Sequence, residues 1–125
     1  MFEERQPQFQ VRRDRGCMIV TAVGPEIPIA AKDELYALAA PAQLEPRQVV
    51  LNLERVINFQ SAVLGVLIRF QQKIEEAGGT VKVVCPDANI RLMFRITKVD
   101  QVLQLHEHEQ LAINAFHERP PLKTP

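Results

Sequence analysis

The sequence has no tryptophan, one tyrosine and only two cysteines among its 125 residues. Cys17 and Cys85 are too few and too far apart for a disulfide framework or a Cys-x-x-Cys site, so both are expected as free, buried thiols in a reducing compartment. Neither sign of charge is in excess, since fifteen Lys and Arg meet fifteen Asp and Glu. A nucleic acid or an anionic membrane demands a basic stripe, and the local cluster of Arg12, Arg13 and Arg15 does not make one. No apolar run approaches the roughly 20 residues that span a bilayer, and the N-terminal MFEERQPQFQ lacks the apolar core of a signal peptide. A cytoplasmic protein without membrane insertion is therefore expected. No glycine-rich phosphate loop is present, because Gly78 and Gly79 close a helix instead of opening one, and no cofactor is expected. Internal repeats and low-complexity segments are also missing.

What remains is ordinary globular composition, 46% apolar and 24% charged, in a chain long enough for one domain with a real core. That domain is expected over residues 1–118, with 119–125 as a flexible tail. FQVRRD and CMIVTAV, at 9–14 and 17–23, form two antiparallel strands joined by a turn at Gly16. The Ala- and Leu-rich segment 30–40 gives a first helix ended by Pro41. QVVLNL, at 48–53, is continuously apolar in the manner of a strand buried on both faces. A second helix spans 61–77, and TVKVVC follows as a strand, parallel to the previous one through a helical crossover. ANIRLMFRI makes a third helix, VLQLH a last strand, and EQLAINAFHE a fourth helix. The order defines an α/β sandwich: a small mixed sheet with about four helices.

The second helix carries the functional signal. Val63, Val66, Leu67, Phe70, Ile74 and Ala77 form its core-facing stripe. Ser61, Leu64, Gly65 and Ile68 share a flank away from that stripe, and Leu64 and Ile68 are more apolar than a solvated flank requires. An apolar patch beside a hydroxyl and a glycine suits the docking of another protein, with Gly65 permitting close backbone approach. Leu64→Glu or Ile68→Glu is then expected to spare the fold and abolish binding. The competing account has Leu64 and Ile68 covered by a neighbouring helix and Ser61, or else Asn58, serving as the helix cap. Phosphorylation of Ser61 would place a dianion at the positive end of the helix dipole and inside the patch, blocking binding without unfolding.

Two catalytic or metal chemistries compete poorly. His106 and His108, two apart in HEHE, with His117 as a third, lack the further ligands that fix a metal geometry, and no metal site is assigned. Cys85 paired with a histidine lacks a positioned base, so the protein is expected not to be an enzyme.

The runs VVLNLERVINFQSAVLGVLIRF and EEAGGTVKVVCPDANIRLMFRITKVDQVLQL resemble the STAS domain of bacterial anti-sigma factor antagonists. That family shows an apolar strand, Asp-Ser-Ser-Gly-Leu-Gly at a helix start, an Ala-Gly-Gly turn and a strand, and the resemblance spans about residues 20–115. It implies binding to a serine kinase of the histidine-kinase-like ATPase fold that otherwise holds a sigma factor. The kinase phosphorylates the first serine of the motif and so releases itself. Ser61 matches that phosphoacceptor, Ala62 the following serine, and Leu64 and Gly65 the Leu-Gly pair; Asn58, Gln60 and Ile68 complete the implied partner surface. Gln60 stands where the family has Asp, Val63 where it has Gly, Lys98 where a Gly follows Thr97, and Pro28 in place of an early-loop acid. The alternative implied by other STAS domains is an unphosphorylated adaptor or scaffold in a signalling or lipid-transport ABC complex. The partner's identity and the oligomeric state are not implied.

Overall fold

The computed structural model describes residues 7–40 and 47–117. The proposed tail at 119–125, and Pro41, lie outside the described residues. Among the described residues the chain forms β1 (Phe9–Asp14), β2 (Cys17–Ala22), a 3-10 turn at Ile29–Ala31, α1 (Lys32–Ala37) and β3 (Gln48–Asn52). It continues with α2 (Ser61–Glu76), β4 (Thr80–Val84), α3 (Ala88–Ile96), a second 3-10 turn at Val99–Gln101, β5 (Gln104–His106) and α4 (Glu109–His117). The strands make one mixed sheet in the order β1-β2-β3-β4-β5. β1 is antiparallel to β2, and the remaining pairs are parallel.

Strand alternation divides the core in two. Met18, Val20, Val49, Leu51, Val81 and Val83 face α1, α2 and α3 in the larger cluster. Cys17, Ile19, Val50 and Val84 face α4, whose Ala112, Ile113 and Phe116 cover them. The expectation that 48–53 is buried on both sides holds, since Val49, Val50 and Leu51 are inaccessible or nearly so. The last strand is two residues shorter than expected because the chain first makes a 3-10 turn, which leaves Val102 exposed and plugs Leu103 into the core.

Turn chemistry sets the connections. Arg15 and Gly16 both take positive φ (48° and 78°), the two-residue hairpin geometry that matches strand twist. At the end of α2, Gly78 is left-handed (φ 87°), its N–H donates to Glu75 and that of Gly79 to Ile74, which together form a Schellman cap. A Cβ on Gly79 would strike the Arg47 carbonyl, so that position admits no side chain. Lys98 is left-handed too (φ 62°), at the position where the family resemblance places a glycine. Left-handed geometry costs a β-carbon-bearing residue about 1 kcal/mol, so Lys98→Gly is expected to raise stability by about 0.5–1 kcal/mol in urea unfolding.

Candidate functional site

The N-terminal end of α2 is built by a connection, residues 53–60, that leaves the C-terminal end of β3. Leu53 N–H donates to the Val84 carbonyl (2.8 Å), and Val56 is fully buried beneath it. Ile57 and Asn58 both donate their N–H to the Pro25 carbonyl (2.8 and 3.0 Å), so the turn after β2 supports the connection from the side. Phe59 then packs edge-on against Phe94 of α3, with ring centroids 5.7 Å apart. Asn58, Gln60, Ser61, Ala62 and Gly65 are each exposed.

The capping accounts of Ser61 are excluded by the geometry. Gln60 occupies the N-cap with extended backbone (φ −78°, ψ 140°) and makes no side-chain cap bond, so neither Ser61 nor Asn58 caps α2. Ser61 is the first helical residue, exposed, and free of any side-chain hydrogen bond among the described residues. In the first turn the Val63 N–H donates to the Gln60 carbonyl (2.9 Å), while the Ser61 and Ala62 amides have no acceptor within the helix and keep their positive potential beside the serine.

Gly65 is an exposed residue in mid-helix, and a Cβ built there meets nothing within 4 Å. Among the described residues neither a turn nor a close approach requires this glycine. Val63, at the position of a family glycine, is buried in the core, so that departure adds bulk inward and leaves the surface unchanged.

Leu64 corrects the sequence reading. Expected on an exposed patch, it is 6% exposed and belongs to the main core. Two turns on along the same flank, Gln71 is buried as well and donates to the Val102 carbonyl (3.1 Å). The buried stripe of α2 is therefore wider than the periodicity alone indicates. Ile68 is half-buried and packs against the same core. On the connection itself sequence reasoning missed an exposed apolar residue, Ile57, which is 62% exposed. Its signal was faint: an isoleucine placed between a strand and a helix, where periodicity says nothing about facing.

The histidines do not converge. Nε2 of His117 lies 2.6 Å from the Arg15 carbonyl at the hairpin, whereas His108 is exposed before α4, and no three of His, Cys, Asp or Glu gather as metal ligands among the described residues. Cys85 is fully buried, and burial pushes its thiol up to about 11, away from the thiolate that a nucleophile needs. A cleft lined by Tyr36, Ala39, Ala40, Lys73, Glu76 and Ala77 sits at the C-terminal end of α2, and none of the candidate residues lines it. No described helix is long and apolar enough to cross a membrane.

A mixed five-stranded sheet backed by helices on both faces, with a solvent-facing serine and glycine in the first turns of α2, defines an α/β sandwich. The family model of the STAS domain matches residues 8–112, and the chain belongs to that family. Solved structures of anti-sigma factor antagonists share its fold. One from Mycobacterium paratuberculosis superposes with a TM-score of 0.75 at 22% identity, covering 88% of this chain and 93% of that one. SpoIIAA in its unphosphorylated form gives 0.68 at 16% identity, covering 90% and 99%. The Bacillus cell fate determinant SpoIIAA in the phosphorylated form gives 0.62 at 20% identity, covering 86% and 98%. No curated protein matches the chain by sequence.

Proposed function

We propose that this protein is a cytoplasmic anti-sigma factor antagonist that docks a serine kinase on the N-terminal end of α2 and is released when the kinase phosphorylates Ser61. The observation that carries the reading is Gly65. A mid-helix glycine costs about 0.5–1 kcal/mol relative to alanine, and nothing among the described residues uses the space it leaves. A partner backbone lying against the helix does use it.

Ser61 sits four residues earlier on the same face, with its hydroxyl uncommitted among the described residues, at the positive end of the helix dipole. The structures of SpoIIAA in two phosphorylation states show that a protein of this fold exists in both forms. Glu26 is exposed on the turn whose Pro25 carbonyl holds Ile57 and Asn58, so the early loop retains an acid although Pro28 replaces one.

Gly65→Leu tests the docking surface. The side chain enters open space, so unfolding midpoints should rise by about 0.5–1 kcal/mol from helix propensity, while affinity for the host's kinase partner falls roughly tenfold or more. Unchanged affinity in a folded variant removes α2 from the interface. A constitutive adaptor would use the same surface and differ only in leaving Ser61 unmodified.

A further inference from the structure

The connection that presents Ile57 and Asn58 is fastened from the opposite face of the sheet as well. Asn52, the last residue of β3, is 2% exposed and, two residues after Val50, points to the α4 side. Its Oδ1 accepts the Glu54 N–H (2.9 Å), which shapes the first turn of the connection. Its Nδ2 donates to Oε1 of Glu109 (3.0 Å), in the first turn of α4. The other oxygen of Glu109 accepts from the Arg12 guanidinium of β1. One carboxylate thus joins three elements that are distant in sequence, and its two oxygens satisfy two different donors.

We infer that Glu109 is a positioning residue for the docking surface: through Asn52 it fixes the start of the 53–60 connection and couples the first turn of α4 to the partner-binding end of α2. This rests on the reading of that end of α2 as the docking surface. The chemistry is specific to the pair. Glu109→Gln leaves one acceptor for two donors, so either Asn52 or Arg12 faces an N–H₂. Asn52→Asp sets two carboxylates against each other. The double variant Asn52→Asp/Glu109→Gln reverses the bond: the introduced amide donates to the introduced carboxylate and keeps its oxygen for Arg12, while the second carboxylate oxygen still accepts from Glu54. Net charge returns to that of the parent.

Amide hydrogen exchange on the isolated chain, followed by NMR, reads this without a partner. The Glu54 amide should exchange roughly tenfold faster in each single variant and recover to within about threefold in the double variant, while amides of the central strands keep their parental rates. Kinase affinity of the same four proteins should follow the Glu54 rate. An unmoved Glu54 amide, a uniform rise across all amides, a double variant that fails to recover, or kinase affinity that ignores the Glu54 rate each overturns the inference. A kinase that does not bind the parent protein contradicts the docking reading, and the exchange data then decide the positioning of the connection alone.

Discussion

Leu64→Glu is expected to abolish cooperative folding. Leu64 is buried in the main core, and Gln71, two turns on along the same flank, is buried too. Removing the leucine creates a cavity worth about 2–5 kcal/mol, and the carboxylate that replaces it finds no partner there. Together these approach the whole stability of a domain this size, roughly 5–15 kcal/mol. Ile68→Glu, at a half-buried position, should cost about 1–2 kcal/mol and leave a folded protein. Urea titration followed by circular dichroism separates the two. A cooperative transition at the parental midpoint for Leu64→Glu would return that residue to the surface.

Ser61→Asp carries the largest expected effect on binding. Its charge sits at the positive end of α2, so the fold tolerates it and stability should stay within about 0.5 kcal/mol of the parent. In the complex the same charge is trapped beside Gly65 against the partner. Leaving a charge unpaired at a well-packed interface costs about 2 kcal/mol or more, equivalent to roughly a 30-fold loss of affinity. Ser61→Ala should match the parent in both respects, because the hydroxyl makes no side-chain hydrogen bond and does not cap the helix. Equal affinity of the Asp and Ala variants, measured by calorimetry, would contradict the switch.

Local rules made much of this fold legible. Gly16 marked the hairpin, the Gly78-Gly79 pair marked the end of α2, and the unbroken apolar run at 48–53 marked a strand covered on both faces; each depends only on residues adjacent in the chain. The start of α2 at Ser61 was likewise legible, because a helix start is a local event, although its N-cap is Gln60 and neither Ser61 nor Asn58. Leu64 was misread for a physical reason: helical periodicity gives direction but not what lies in that direction. On the same flank Gln71 is bonded to Val102, 31 residues away. The bond from Asn52 to Glu109 spans 57 residues and leaves no pattern in either segment. Lys98 shows the converse, a turn formed against local preference because Val99 and Leu103 beyond it are buried in the core.

The most direct test of the account is mass spectrometry of the Ser61 peptide after incubation of the protein with its cognate kinase and ATP. The account predicts a single added phosphate on Ser61, absent from Ser61→Ala, with the kinase released from the modified protein. An unmodified Ser61 peptide, with the kinase still bound, would contradict the switch and leave the α2 surface as that of a constitutive adaptor.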